Sequence, residues 1–375
     1  MTISAPPHDD FLSARWRRTF RRRLRAWYAH QARDLPWRRT RDPYHVWVSE
    51  VMLQQTQVQT VIPYFERFCA AFPTLSALAA ADEQQVLQLW EGLGYYRRGR
   101  QLHAAARVLV ETNGGAIPRF RSALEKLPGI GRYTAAAILS LAFDAREAIL
   151  EANTIRLFAR LAGLPLETTT AQAQKQLWAI SEGVLPRKEV GLFNQALMEL
   201  GSLICTPQSP QCSACPVADL CLANRKSLQH KIPVLKRRPP VEKIREAAVV
   251  ICRRKQILLR QCGPKERWSG LWDFPRMQVQ PSRKWSTEEQ IGDAVRDLTG
   301  YSVCLGARFK RMTHAVTRYQ ITLDCYEAKL ASTRRKSGNR ESLRWVSLEE
   351  LNEMPLSVTG RRIAQQMIED SRADA

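Results

Sequence analysis

Long hydrophobic runs are missing from this chain of 375 residues. No stretch approaches the ~18 consecutive apolar residues that a spanning helix needs, so a helical membrane span is excluded. The N-terminal MTISAPPHDDFLSARWRR has no apolar core followed by a small-residue cleavage site. It does not read as a secretory signal. Residues 1–10 read as a short disordered leader. Internal repeats are absent too. Acidic residues are scarce: Asp plus Glu number 36 against 57 Lys plus Arg, a formal charge of +21. A soluble surface needs no such excess of one sign, so a polyanion is the expected partner, with nucleic acid the first choice. Hydrophobic residues at 45% and charged residues at 25% exclude a wholly disordered chain. The length predicts two or three domains.

The nine cysteines are unevenly spread. Cys69, Cys252, Cys262, Cys304 and Cys325 are scattered. Cys205, Cys212, Cys215 and Cys221 form C-x6-C-x2-C-x5-C. Without a secretory signal disulfides are not expected, and four thiolates at loop spacing point to a metal site. The spacing fits either zinc or an iron–sulfur cluster.

From Phe11 to about Leu228 the apolar periodicity is mostly helical. In ARWRRTFRRRLRAWYAHQ, Trp16, Phe20, Leu24 and Trp27 recur at helical spacing with arginines between them. That face fits an ordinary surface helix or one turned toward phosphates. VWVSEVMLQQTQVQTVIPYFERFCAAF reads as one long helix. Further helices are predicted at DEQQVLQLWEGL, YYRRGRQLHAAARVLVETNG, FRSALEKL, RYTAAAILSLAF and TIRLFARLAGL. After residue 228 the composition shifts. QHKIPVLKRRPPVEKIRE reads as a basic, proline-bearing linker, 229–243. EAAVVICRRKQILLRQ, RFKRMTH and YQITLDCYEAKL read as strands, and GRRIAQQMIED as a closing helix. Residues 244–375 are thus an α+β domain.

LPGIGRYTAAAILSLAF places Gly129 and Gly131 two apart before an Ala-rich helix. Both are expected to take unusual dihedrals and to let the backbone approach a ligand closely. The turn amides and the helix N-terminus would then face a phosphate. This hairpin (124–143) fits sequence-independent DNA binding; a plain packing corner is the other reading.

LPWRRTRDPYHVWVSEVMLQQTQVQTVIPYF, WEGLGYYRRGRQLHAAA, the hairpin and FNQALMELGSLICTPQSPQC together closely resemble the adenine DNA glycosylases of the MutY type, within the helix-hairpin-helix glycosylase superfamily. The resemblance is strong over roughly residues 15–228. It implies an all-α glycosylase domain (11–228) with a [4Fe-4S] cluster on Cys205, Cys212, Cys215 and Cys221 (loop 205–221). The implied activity is hydrolytic removal of adenine mispaired with 8-oxoguanine or guanine. The implied partner is double-stranded DNA, bound by a monomer in the cytoplasm or on a bacterial nucleoid. Glu50 matches the family's general acid for adenine N7. Ser49-Glu50 is expected to begin a helix, whose dipole would lower the Glu50 pKa; burial must then raise it. Where the family has Asp-Gly-Asn-Val, this chain reads Glu151-Ala152-Asn153-Thr154. Glu151 is expected to stabilise the sugar cation with a carboxylate one methylene further out. Tyr133 stands where related bifunctional enzymes carry a Schiff-base lysine, so base removal without strand cleavage is expected. Tyr133 and Asn153 resemble partners of the sugar carboxylate, and Arg38 and Gln195 resemble adenine-pocket residues. Gln55 and Tyr95 fit wedge positions, with Leu53 and Gln54 nearby, because a base must leave the stack to react.

RWSGLWDFPR, from Arg267, resembles the start of a Nudix-type fold. STEEQIGDAVRDLTGYSV reaches Gly300 without the carboxylate cluster of Nudix hydrolysis. In the family this domain reads the oxidised guanine through a Phe-Ser-His loop, here Met312-Thr313-His314. The fold expectation is therefore multidomain, all-α plus α+β. Rival readings are a glycosylase for another mismatched base, such as thymine opposite guanine, and a catalytically weakened lesion-binding protein.

Overall fold

The computed structural model describes residues 10–373 except 235, 237, 238, 282, 283, 285 and 333–341. The expected leader therefore lies almost wholly outside the described residues, as does part of the linker. The helices are α1 Ala14–Gln31, α2 Pro43–Leu53, α3 Val58–Ala71, α4 Leu75–Ala80, α5 Glu83–Leu89, α6 Arg97–Asn113, α7 Arg121–Leu124, α8 Arg132–Phe143, α9 Ala152–Ala162, α10 Ala171–Val184, α11 Val190–Leu203 and α12 Leu222–Arg225. Among the described residues no helix is long and apolar enough to cross a membrane. Two compact units result: 1–80 with 101–237, and 81–100 with 238–375.

In the first unit each helix is fixed by local chemistry. Ser13 caps α1, and Trp16, Phe20, Leu24 and Tyr28 bury its inner stripe at every fourth residue. The segment read as one long helix is two. Asp42 caps α2 and Pro43 opens it. The chain breaks after Leu53, where Gln55 takes φ +59, and α3 starts at Val58. Polar MLQQTQ lacks the apolar stripe that would hold a continuous helix. Four helices were not individually read: the short α4 and α12, and the longer α10 and α11. Of these, α11 is buried nearly all round, so its periodicity is masked. Its Gly191 lies so close to α8 that a Cβ would stand 2.4 Å from the Ser140 carbonyl oxygen. The Asp144 carboxylate, at the left-handed end of α8, accepts from the Glu189 and Gly191 amides at 3.1 and 2.9 Å, fixing where α11 begins.

The second unit is a mixed sheet: β1 Glu242–Arg253, β2 Gln256–Gln261, β3 Trp272–Asp273, β4 Arg276–Val279, β5 Val303–Val316, β6 Tyr319–Leu330 and β7 Leu343–Val346. The order is β3-β2-β1-β6-β5, with β4 also on β1 and β7 on β2. The β1–β6 pair is parallel. Along β1, Ala247, Val249 and Ile251 enter one core and Ala248 and Val250 the other. Both faces are covered, so the strand reads as an unbroken apolar run. Helix α13 (Thr287–Thr299) supplies Ile291 and Val295 to the first core. Helices α14 (Leu348–Glu353) and α15 (Val358–Ala373) supply Leu351, Ile363 and Ala364 to the second.

Met312-Thr313-His314 is not a loop. It lies within β5, paired with Leu323, Thr322 and Ile321 of β6. Met312 points into the core, so its side chain is a packing residue.

Candidate active site

A cavity of about 730 Å³ opens in the first unit, between α2, the α2–α3 break and the starts of α8, α9 and α11. Its lining includes Arg38, Glu50, Leu53, Gln54, Gln55, Tyr133, Glu151, Asn153 and Gln195. Tyr95, Thr313 and His314 belong to the second unit and do not line it.

Glu50 is 4% exposed. Contrary to the sequence expectation, it does not begin a helix. It sits in the last turns of α2, where the dipole's negative end also disfavours a carboxylate. The Tyr133 hydroxyl donates to Glu50 Oε2 at 2.6 Å. Burial pushes the Glu50 carboxyl up to about 7; Glu151 adds to the rise, while the Tyr133 hydrogen bond and Arg38 oppose it. Burial likewise drives the Tyr133 phenol well above its ordinary value, so it remains a donor.

Glu151 has a different environment. It is the N-cap of α9, with φ −133 and ψ 178. Its Oε2 accepts from the Asn153 amide at 2.8 Å and from Asn153 Nδ2 at 3.1 Å, and its Oε1 accepts from the Thr154 amide at 2.9 Å. Thr154 Oγ1 closes the capping box by accepting from the Glu151 amide at 2.8 Å. Burial raises the Glu151 pKa, against the Asn153 and Thr154 amides and the Arg156 charge. The extra methylene folds the carboxylate back onto its own helix.

A third carboxylate escaped sequence reasoning. Glu199 is fully buried on α11 and accepts from Arg33 Nε and Nη2 and from Arg38 Nη2, each at 2.8 Å. Burial would raise its pKa, but the two guanidinium groups outweigh it and hold the carboxyl at about 2. Arg38 also lies 5.7 Å over the Tyr28 ring, and the Tyr28 hydroxyl donates to Gln195 Oε1 at 2.9 Å. One edge of the cavity is thus a fixed polar frame of Arg33, Arg38, Glu199 and Gln195, with Tyr28 behind it. The available signal was a single acid, Glu199, in the apolar run of α11, one helical turn after Gln195.

The hairpin is tight at Gly129, φ +76, where a Cβ would stand 2.8 Å from Gln101 Cβ. Gly131 differs from expectation. Its φ −96 and ψ −179 are ordinary extended values, and a Cβ there would meet nothing within 4 Å. Its contribution is open space before the α8 N-terminus. Gln54 Nε2 donates to Thr134 Oγ1 at 3.2 Å, tying the α2–α3 break to α8.

Cys205, Cys212, Cys215 and Cys221 carry no disulfide and line one small apolar cavity of about 20 Å³. Among the described residues no three His, Cys, Asp or Glu groups converge as a single ion would require. The four thiols line one space and would be the ligands of a metal group held there. Buried Arg160 fastens this loop: Nη1 donates to the Thr206 carbonyl at 2.7 Å and to Cys205 Sγ at 3.3 Å, and Nη2 to the Pro207 carbonyl at 3.0 Å. Arg156 donates to the Cys205 carbonyl at 2.6 Å and to Asn153 Oδ1 at 2.9 Å. Neither arginine was singled out from the sequence, although both lie one turn apart on an otherwise apolar face of α9.

In the second unit, Thr313 is exposed on β5 and His314 is half-buried. Burial lowers the His314 pKa, helped by the Arg276 and Arg267 charges. Its ring is 6.4 Å from that of Trp268. Tyr95, 53% exposed with φ +49, stands at the start of α6.

A helical unit with a hairpin, two unlike carboxylates in one cavity and a cysteine loop defines a class, and the comparisons agree. Residues 48–182 match the HhH-GPD superfamily of base excision DNA repair proteins. Residues 205–221 match the iron-sulfur binding domain of endonuclease III, so the four cysteines are a [4Fe-4S] site. Residues 246–366 match the NUDIX domain. A thermostable thymine-DNA glycosylase superposes with a TM-score of 0.53 at 30% identity, covering 56% of this chain and 98% of that one.

The rat adenine DNA glycosylase (Rattus norvegicus) is 41% identical over 290 residues, 75% of this chain and 55% of the relative. The human protein of the same name (Homo sapiens) is 33% identical over 398 residues, 92% of this chain and 73% of the relative. The chain belongs to the adenine DNA glycosylase family. It spans little more than half the length of the rat relative.

Proposed function

We propose that this chain flips adenine out of a duplex in which it faces 8-oxoguanine or guanine, and hydrolyses its N-glycosidic bond. The observation that carries the reading is the pair Glu50 and Glu151, two carboxylates in one cavity with unlike surroundings. Environments that separate two titrating groups assign acid and anion roles. Glu50, up at about 7, keeps its proton in about half of the molecules at neutral pH. The Tyr133 hydroxyl occupies Oε2, which leaves the proton on Oε1 free for adenine N7. Protonation withdraws the bonding electrons into the base, and adenine leaves. The sugar then develops oxocarbenium character. Glu151, which caps α9 and accepts from the Asn153 and Thr154 amides, supplies the carboxylate that faces that cation. Water adds to the sugar carbon and its proton returns to Glu50. Tyr133 has no amine, so no Schiff base forms and the product is an intact strand with an abasic site. Arg38 and Gln195, held by Glu199 and Tyr28, frame the adenine edge. The bound cluster supplies a rigid anchor for the cysteine loop, and no step of the hydrolysis uses it.

Single-turnover excision tests this on a duplex with one adenine opposite 8-oxoguanine, abasic product being revealed by alkali. Wild type should cut only after alkali. Glu50→Gln should slow excision by ~10²–10⁴, the usual worth of a general acid. The N-cap geometry of Glu151, with both oxygens engaged, favours one second reading: a lesion-binding protein with weak excision. Tight binding with intact adenine, together with rapid excision in Glu151→Asp, would establish that instead.

A further inference from the structure

The outer face of α1 has no role in the cavity chemistry. The helix carries Arg15, Arg17, Arg18, Arg21, Arg22, Arg23 and Arg25 and no acid. Three are engaged inside the unit. Arg23 pairs with Asp219 and Arg25 with Glu189. Arg21 donates to the Val184 and Leu185 carbonyls at 2.7 and 2.6 Å. Arg15, Arg17, Arg18 and Arg22 have no ion pair among the described residues. Arg15, Arg18 and Arg22 are exposed at spacings of three and four, so they share one face.

As a structural surface this arrangement is unfavourable. Like charges three and four apart repel. Arg15, Arg17 and Arg18 also crowd the helix N-terminus, where the dipole already favours anions. A second element adds to the crowding: besides burial, the Arg17 and Arg146 charges lower the Arg21 pKa. Among the described residues no acid pairs with Arg15, Arg17, Arg18 or Arg22.

We infer that this face of α1 binds the phosphodiester backbone of a nucleic acid, independently of the base in the cavity. Guanidinium groups match phosphate oxygens bidentately. Arg15 to Arg22 span about 10 Å at ~1.5 Å per residue, the axial length over which one DNA strand presents about three phosphates at ~3.4 Å each. The exposed residues that flank them on the helix are small, Ala14, Ala26 and Ala29, with His30 at the end. No aromatic or large apolar anchor interrupts the row, as an interface with an acidic protein would require. Trp16 Nε1 donates to the Leu220 carbonyl at 3.4 Å, and with the Arg23–Asp219 pair this seats the row beside the cysteine loop.

The test uses the full chain and the triple substitution Arg15→Gln, Arg18→Gln, Arg22→Gln. Affinity for an undamaged duplex is measured against salt concentration. Each phosphate contact contributes about 0.9 to the slope of log affinity on log salt, so the triple variant should lose roughly 2.7. Its Tm should hold or rise, because repulsion is relieved. An unchanged slope in a folded variant overturns the inference. So does equal binding of poly-glutamate by wild type with the same loss in the variant, which would assign the face to an acidic protein. The inference does not rest on the excision chemistry. Wild type that binds duplex with the full slope yet leaves adenine in place would defeat the proposed function and uphold this surface.

Discussion

At the scale of single residues, Glu50 has the clearest consequence. Its carboxyl stands at about 7 in the fold against an ordinary value of 4.5. The folded state therefore holds its proton across that interval while the unfolded chain has released it. Stability from this group is fully present below about pH 4.5 and is lost as pH rises through about 7. Glu50→Gln should gain stability over wild type at pH 8 and little at pH 4.5, by up to about 3 kcal/mol. Denaturant unfolding at the two pH values checks this. Excision should fall in the same direction, since the protonated acid is consumed above pH 7. Gly201 is the quieter case. A Cβ there would stand 2.7 Å from Asn153 Cβ and 3.0 Å from the Asn153 carbonyl oxygen. Gly201→Ala should push Asn153 off the Glu151 carboxylate at a cost of ~1–3 kcal/mol. Single-turnover excision should slow more than tenfold while duplex affinity holds. Glu50, Glu151 and Tyr133 could be named as candidates because their motifs are local, and they line one cavity. Glu199 and Gly201 could not, since their partners Arg38 and Asn153 lie far away in the chain.

At the scale of elements, apolar spacing located α1 to the residue, with Trp16, Phe20 and Leu24 as its inner stripe. It failed where burial is complete or a helix is interrupted. α11 is buried nearly all round, so no face stands out. The α2–α3 break hides inside a segment whose composition reads as helical throughout; its marker is backbone conformation at Gln55, φ +59, and no glycine announces it. That position sets a testable asymmetry. A β-branched side chain strongly disfavours the left-handed region, so Gln55→Val should cost ~1–2 kcal/mol. Gln55→Gly should remain within ~0.5 kcal/mol of wild type, its relief of strain offset by a more flexible unfolded chain. Thermal unfolding of the two variants distinguishes a strained turn from a helix, where glycine would be the more damaging substitution. The Met312-Thr313-His314 segment teaches the same lesson in a strand. Its family counterpart was expected as a loop, but alternating burial places Met312 inside and Thr313 outside.

At the scale of the molecule, chain order and packing part company at residues 81–100. The periodicity of DEQQVLQLWEGL gives α5 correctly, yet no pattern tells which core a helix will join. Its polar contacts run to residues far down the chain. Gln84 Nε2 donates to the Gly270 carbonyl at 3.3 Å, and Trp272 Nε1 donates to Gln84 Oε1 at 3.0 Å. Glu91 takes a bidentate pair from Arg361, at 2.7 and 2.9 Å, and the Leu356 amide at 3.1 Å. Arg361 in turn donates to the Leu351 and Met354 carbonyls at 3.0 and 2.6 Å, so one guanidinium joins α5's outgoing turn to α14 and α15. Both side chains of the pair are largely buried. Removing one partner of such a pair leaves an uncompensated charge, which costs ~3–5 kcal/mol when burial is complete and toward the lower end here. Glu91→Ala should therefore lower the Tm and speed amide exchange in 83–91 and 351–361 together, leaving α1 and α9 protected. Exchange that rises in 83–91 alone would mean that α5 is held by its own chain neighbours, and that the second unit is continuous in sequence after all.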